Sequence, residues 1–160
     1  MALSAAAVFS VGLQAQETGP AEQDIPALLQ EARAFRNQNR MKPALEALDA
    51  AALLAEEQEE EKALVDAYHL FSRVYLDMDK EVTALFYWDR ASVLLDRIEY
   101  PYGTAVHRYL EALMHTREGS YFQSIYSLNE ARELNNDRNL LYHITLLEAE
   151  NYSQIKKFAN

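Results

Sequence analysis

Histidines and carboxylates are the side chains that could carry catalysis or bind a metal in this chain, and their spacing does not favour either. The four histidines are His69, His107, His115 and His143, and no two lie three or four residues apart, as a helical metal pair would. The sequence contains no GxSxG or HExxH motif, no cysteine and no glycine-rich phosphate loop. We therefore predict a protein that is not an enzyme and that uses no metal or cofactor.

Composition and charge restrict the kind of partner. The chain has 160 residues, of which 49% are hydrophobic and 25% charged, so it can bury a core. Its formal net charge is −10, which repels phosphate backbones and anionic membrane surfaces. The sequence thus predicts no direct nucleic-acid partner and no membrane insertion of this segment. A protein or peptide is the expected partner.

The N-terminal segment differs from the rest of the chain. Residues 1–15 contain no charged side chain and carry a run of small and apolar residues, which is typical of a secretory signal, although no Lys or Arg precedes the run. We predict a signal peptide at 1–15, a flexible linker at 16–23 and an extracytoplasmic (periplasmic or secreted) bacterial protein. If the segment is instead an uncleaved, frayed helix, the protein is cytoplasmic.

A step of 40 residues recurs along the chain and relates residues of similar size. The columns are Ala32, Ser72 and Ala112; Phe35, Tyr75 and His115; Ala44, Ala84 and Ser124; Leu48, Trp88 and Leu128; Ala51, Ala91 and Ala131; and Leu54, Leu94 and Leu134. A unit of this length cannot bury its own apolar face and must stack on its neighbours. The pattern predicts an all-α domain at 24–160, an α-solenoid of antiparallel helix hairpins with units at 25–58, 62–98 and 102–136 and a partial unit at 138–160.

Local signals indicate where the helices begin and end. Asp24 is expected to cap the first helix. The acidic run at 56–61 is predicted to be a solvated connection rather than an interaction tail. Pro101 and Gly103 are predicted to separate the second unit from the third.

Two residues differ from the others in their columns. Trp88 occupies the column of Leu48 and Leu128, so we expect core packing rather than a platform for ligand stacking. His115 replaces an aromatic residue and is expected to be partly buried and hydrogen-bonded.

These columns resemble the tetratricopeptide repeat family in its longer variety of about 40 residues per unit. The motif is a small residue, an aromatic three later, then after the turn a small residue, a large one and another small one. The third unit departs from it at His115 and Ser124, and the proline common near the unit's end is missing. The resemblance implies a right-handed superhelix whose concave groove is lined by the first helix of each pair and holds peptide segments of partner proteins.

The resemblance also implies which side chains face the groove. They are Leu29, Arg33 and Arg36 in the first unit, His69, Arg73 and Leu76 in the second, and Tyr109, Leu113 and Thr116 in the third, with Arg117 beside this row. Arginines collected on one face would form a positive patch suited to carboxylates or to an acidic, aromatic-containing peptide. The alternative is that each is a solvated surface arginine.

The last helix is predicted to be the first helix of a fourth pair. Ala149 and Tyr152 mark it, three residues earlier than the step of 40, so the small residue of its partner helix would fall just beyond Asn160. A terminal capping helix has a polar outer face. Here the apolar residues spread around the helix: Leu140, Leu141, Ile144, Leu146 and Leu147. We expect either further repeats in the natural protein, which we favour, or self-association through this helix.

Together these features predict a non-enzymatic protein-interaction module. If the natural chain is longer, it resembles the extracytoplasmic repeat region of bacterial sensor kinases or membrane-bound regulators. Two alternatives stay open: a self-assembling scaffold subunit of an envelope complex, and a cytosolic peptide-sensing regulator.

Overall fold

The computed structural model describes residues 24–158 and folds them into seven α-helices with no strand. The predicted signal peptide and linker lie outside the described residues. The helices are α1 (Ile25–Asn37), α2 (Met41–Glu57), α3 (Glu61–Asp77), α4 (Glu81–Leu95), α5 (Pro101–Arg117), α6 (Tyr121–Glu133) and α7 (Arg138–Phe158).

The helices pack in neighbouring pairs. Within the pairs, α1 packs on α2, α3 on α4 and α5 on α6, and α2, α4 and α6 each pack on the helix that follows. The helices α1, α3, α5 and α7 also contact one another in sequence, whereas α2, α4 and α6 do not. The first helices therefore form one continuous layer. The predicted all-α helical-repeat solenoid is confirmed.

Two of the seven described helices, α1 and α7, begin at an aspartate that caps the first turn. The Asp24 carboxylate accepts a hydrogen bond from the Ala27 backbone N–H at 2.7 Å, as predicted for the cap of α1. The Asp137 carboxylate accepts one from the Leu140 N–H at 2.9 Å, at the start of α7. Each bond satisfies a donor that the first helical turn leaves unpaired.

Four of the connections close in the same way. Asn39, Glu59, Asp79 and Gly119 adopt left-handed backbone angles, with φ between 56° and 79°. After each of them, the next backbone N–H donates to the carbonyl five residues earlier, at 2.8–2.9 Å, in the manner of a Schellman motif. The acidic run at 56–61 falls on one of these turns and is largely exposed, as predicted.

The second and third units are separated at residues 96–100, directly before Pro101, whereas Gly103 lies inside α5 rather than in the connection. Pro101 is the first residue of the helix, where its missing N–H costs nothing. Gly103 is buried beneath the Tyr100 ring, and a Cβ there would lie 2.3 Å from the Tyr100 Cδ1. The glycine therefore allows a close approach of this ring rather than ending a unit.

The columns of small residues form the contact surfaces between helices. Every member of three of these columns has no exposed surface: Ala32, Ser72, Ala112, Ala44, Ala84, Ser124, Ala51, Ala91 and Ala131. Short side chains at these positions let the helix backbones approach closely, so that larger neighbours fill the grooves between them. The column of leucines is less regular, because α6 ends at Glu133 and leaves Leu134 exposed.

Trp88 and His115 are each only partly as predicted. Trp88 is half-buried rather than in the core. Its ring stacks on the His107 ring, with 4.0 Å between the ring centroids, and its Nε1–H donates to the His107 carbonyl at 3.2 Å. His115 is half-buried, but its Nδ1 has no hydrogen-bond partner among the described residues.

The burial pattern of α7 supports the predicted register of the fourth unit. This helix buries Leu140, Ile144, Leu147 and Asn151. With Ala149 aligned to Ala112 and Ser72, these four residues coincide with buried or half-buried positions on the two preceding first helices. Those positions are Gly103, His107, Leu110 and Met114 on α5, and Ala63, Ala67, Leu70 and Val74 on α3. The helix α7 thus contacts the preceding unit through the same face as α3 and α5.

Candidate functional site

A groove of about 510 Å³ runs across the first helices. Its lining comes from α1, α3, α5 and the beginning of α7, which are the four helices that form one layer. The lining residues are Arg33, Arg36, Asn37, Asp66, His69, Leu70, Arg73, Tyr102, Val106, Tyr109, Leu110, Asp137, Asn139, Leu140 and His143.

Five of the seven candidate groove residues line this space. They are Arg33, Arg36, His69, Arg73 and Tyr109. Leu113 is not among the lining residues and packs half-buried against the core around Ala112.

Arg117 also lies outside the groove lining. Its guanidinium pairs with Asp79 and, at 3.3 Å, with Glu81, at the turn between α3 and α4. Burial is the largest single influence on the pKa of Arg117 and lowers it. The hydrogen bonds and charges of Asp79 and Glu81 together outweigh burial, so the pKa is raised. The structure therefore gives Arg117 a role in joining the third unit to the second.

Three other positions that the resemblance placed in the groove are turned away from it. Leu29 and Leu76 are buried in the core. Thr116 donates a hydrogen bond to Asn151 Oδ1 at 2.8 Å, and Asn151 Nδ2 donates to Ser124 Oγ at 2.7 Å. These three polar side chains hold α7 against α5 and α6.

The arginines of the groove do not form a uniformly positive patch. Arg36 Nε donates to Asp77 Oδ2 at 2.6 Å, and Arg73 Nε lies 3.4 Å from the other oxygen of the same carboxylate. Arg73 also donates to the Tyr109 hydroxyl at 3.4 Å. One carboxylate thus pairs with two guanidinium groups, which leaves a single net positive charge, and it fixes their position in the groove lining.

Arg33 differs from these two arginines. It is exposed and forms no close ion pair with a described carboxylate, in contrast to Arg36 and Arg73. The nearby Asp66 receives hydrogen bonds from the Tyr100 hydroxyl at 3.0 Å to both of its oxygens. Burial raises the pKa of Asp66, while the Tyr100 hydrogen bond and the positive charge of Arg33 act in the opposite direction. Arg33 is therefore the lining arginine best placed to bind an added carboxylate.

Two histidines meet between α3 and α5, and one of them, His69, lines the groove. His69 Nε2 and His107 Nδ1 lie 3.2 Å apart, one donating to the other, and both rings are buried. Burial lowers the pKa of His69 to about 3 and that of His107 to about 4, so both imidazoles are neutral at pH 7. The arrangement stabilises contact between α3 and α5.

Sequence reasoning missed a second row of lining residues. Asp66, Val106 and His143 all stand six residues before the small residue of their helix, and all three face the groove. Their shared offset was a usable signal. Residue type alone does not reveal this offset, because a carboxylate, an aliphatic side chain and an imidazole have no chemistry in common.

The resulting site is mixed in character. Its lining combines the apolar side chains of Leu70, Val106 and Leu110 with three arginines, Asp66 and Asp137. A largely apolar lining with a few charged side chains is typical of ligand-binding and active sites. Within residues 24–158, no group of three or more histidine, aspartate or glutamate side chains is arranged to hold a metal ion.

No family model, curated protein or solved structure matches this chain. None of the seven described helices is long and apolar enough to cross a membrane.

Proposed function

We propose that this chain is a non-enzymatic interaction module of the tetratricopeptide-repeat kind that holds a segment of a partner protein in its groove. The observation that supports the proposal is the groove itself, which spans four consecutive first helices and combines an apolar floor with charged walls. A chain segment that crosses several repeats can contact each of them in turn, as expected for the concave surface of a solenoid.

The side chains of the groove suit a peptide that carries both a carboxylate and an apolar residue. Arg33 is available for the carboxylate, through a guanidinium that can donate two parallel hydrogen bonds. The floor around Leu70 and Leu110 can accept an aliphatic or aromatic side chain, and Tyr109 stands beside it with its hydroxyl bonded to Arg73. We expect acidic peptides with an aromatic residue to bind better than basic ones.

The proposal also includes the cellular location of the protein, which we place outside the cytoplasm. The apolar segment at 1–15 supports export of the chain and a sensory or binding role outside the cytoplasm. N-terminal sequencing of the protein purified from cells tests this: a mature start at Gln16 is expected. An intact Met1 would favour the cytosolic peptide-sensing regulator.

Reversing the charge of Arg33 tests the groove. We expect Arg33→Glu to weaken binding of an acidic, aromatic-containing peptide about tenfold or more, because a repulsive carboxylate replaces a charge-assisted contact. Fluorescence anisotropy with labelled acidic peptides and their lysine-substituted counterparts measures the change.

Lys42→Glu is the matched control for that experiment. Lys42 is on α2, outside the groove, and its substitution changes the net charge by the same amount. An equal loss of peptide affinity in both variants would show a general effect of charge and would contradict the assignment of the binding site to the groove. Circular dichroism checks that both variants keep their helical content.

A scaffold is the second candidate function, and a separate surface favours it. Val82 and Phe86 on α4 and Phe122 and Tyr126 on α6 are all more than half exposed, and the two pairs are related by the step of 40. Neither helix contributes to the groove. Exposed apolar side chains that recur on successive units are suited to an assembly surface. Concentration-dependent assembly that is lost in Phe86→Glu but kept in Arg33→Glu would favour the scaffold.

A further inference from the structure

The groove carries as many negative as positive side chains, although arginine is prominent in its lining. The charged lining residues are Arg33, Arg36, Arg73, Asp66 and Asp137. Asp77 adds a third carboxylate, because it pairs with two of these arginines. With every group ionised, the charges cancel. Selectivity in this groove therefore depends on where each charge lies and not on a surplus of one sign.

Most of these charges are already engaged by other side chains of the protein. Arg36 and Arg73 share the carboxylate of Asp77. Asp66 accepts the Tyr100 hydroxyl at both of its oxygens. These contacts fix the positions of the three charged lining residues and satisfy part of their hydrogen-bonding capacity.

The two remaining charges of the lining have opposite signs and lie at opposite ends of the layer of first helices. Arg33 is on α1, Asp137 directly precedes α7, and both are exposed. Within the described part of the chain, neither forms a close ion pair. The groove thus has a positive end at α1 and a negative end at α7.

The Asp137 carboxylate is held in place by the start of α7. Its Oδ1 accepts the Leu140 N–H at 2.9 Å, while its Oδ2 accepts no hydrogen bond from a described residue. The neighbouring Arg138 does not line the groove. A helix N-terminus carries about half a positive charge, which offsets part of the carboxylate's charge, so the attraction for a cation is moderate.

Tyr102 lies between the two ends of the groove. It lines the groove from the first turn of α5 and is 37% exposed. Burial is the main cause of its raised pKa, and Asp66 and Asp137 add to the rise while Arg33 opposes it. Its hydroxyl is therefore within electrostatic reach of both ends. Because the face of a tyrosine ring attracts ammonium and guanidinium groups, Tyr102 is a second attractive group for a cation near Asp137.

We propose that the partner segment held by the groove is dipolar, with an acidic residue bound at Arg33, a basic residue bound at Asp137 and an apolar residue on the lining between them. This inference rests on the proposed function, because it specifies which segment the same groove holds. A segment with charges of one sign would meet repulsion at one end. Neighbouring helices pack about 8–10 Å apart, so the two ends are separated by at most roughly 30 Å, or about nine residues of extended chain.

Matched peptides test the charge order with the full chain. Each labelled peptide carries one glutamate, one phenylalanine and either a lysine or a glutamine, with about two to eight residues between the outer positions, in both sequence orders. Fluorescence anisotropy measures the affinities. At the best spacing, lysine is expected to raise the affinity for the wild type about threefold over glutamine.

Asp137→Asn is expected to abolish that gain. Asparagine keeps an oxygen that can cap α7, so the variant removes the charge and not the helix start. Asp89→Asn is the matched control, because Asp89 is an exposed residue of α4 that does not line the groove. It should keep the gain, and circular dichroism checks that both variants keep their helical content.

Three results would overturn the dipolar assignment. They are no advantage of lysine over glutamine at any spacing, an equal advantage in wild type and Asp137→Asn, and an equal loss of the advantage in Asp89→Asn. The glutamine peptide reports the proposed function alone. It is expected to bind Asp137→Asn at least as tightly as the wild type and to lose affinity in Arg33→Glu, so failure of the dipolar assignment is distinguishable from failure of the groove.

Discussion

At the scale of single residues, the histidines show how a reactive side chain can serve packing alone. His69 and His107 meet at 3.2 Å between α3 and α5, and Trp88 of α4 stacks on the His107 ring at 4.0 Å. Three helices from two units therefore share one aromatic contact. Burial is the main cause of the lowered pKa values, and for His107 the nearby Glu111 and Asp96 oppose it while Arg108 adds to it.

This histidine pair predicts that stability falls in mild acid. In the unfolded chain both groups titrate near pH 6.5, whereas in the folded protein their pKa values are about 3 and about 4. The unfolded state therefore binds more protons below pH 6.5, and the free energy of unfolding decreases as the pH falls. At one pH unit below 6.5 we expect a loss of about 1 kcal/mol for each histidine.

Urea unfolding followed by the fluorescence of Trp88, the single tryptophan, measures this pH dependence. His107→Gln should flatten the dependence between about pH 7 and pH 5.5, whatever its effect on stability at pH 7. His143→Gln, which replaces an exposed histidine, is the control and should keep the wild-type slope. A slope unchanged by His107→Gln would contradict the assignment.

At the scale of helices and turns, one connection is used repeatedly with different residues. The left-handed position is filled by Asn39, Glu59, Asp79 and Gly119. Asparagine, aspartate and glycine tolerate this conformation, but glutamate gains nothing from it. The turn between α2 and α3 is therefore strained at Glu59, although its hydrogen bonding matches the others.

We predict that Glu59→Gly raises the free energy of unfolding by about 1 kcal/mol, because glycine adopts a positive φ without the steric cost. The matched control is Glu57→Gly in the last turn of α2, which removes the same charge but should destabilise the helix. Thermal and urea unfolding measure both.

Gly119→Ala provides the converse prediction. A Cβ at Gly119 would meet no atom within 4 Å, so any cost comes from the backbone conformation at φ 79°. We expect a loss of about 1 kcal/mol in the free energy of unfolding. No loss would indicate that this turn adapts, and would weaken the argument for Glu59.

At the scale of the whole molecule, each unit is held only by its neighbours. Among the described helices, α7 contacts α5 and α6 and no others. A linear array of this kind can lose its end without losing its centre. The buried Asn151, bonded to Thr116 and Ser124, is the polar link on which the docking of α7 depends.

Asn151→Ala is accordingly expected to release α7 while α1 to α4 stay folded. It removes the two hydrogen bonds that join Asn151 to Thr116 and Ser124, at a cost of about 2 kcal/mol, while the two hydroxyl groups keep their 2.9 Å contact with each other. Hydrogen exchange should show faster exchange in α7 and unchanged exchange in α3. Thr145→Val is the control, since Thr145 is exposed and bonds only to the Leu141 carbonyl of its own helix. Uniformly faster exchange along the chain would point to global rather than local unfolding.

The helical repeat and much of its register follow from the amino-acid sequence alone. The small columns, the cap at Asp24 and the position of Ala149 in α7 can all be recognised from residue types and spacing, because they depend on the geometry of one helix at a time. The location of the candidate groove on the first helices is instead an implication of the resemblance to the tetratricopeptide repeat family.

The chemistry of that groove, in contrast, arises only when the helices pack together. Asp77 pairs with both Arg36 and Arg73, His69 meets His107, and Asn151 is buried where the two preceding first helices carry Val74 and Met114. Each of these outcomes depends on side chains from different helices reaching the same point. A residue's position along its own helix fixes the direction in which it points, but not which charge it will meet there.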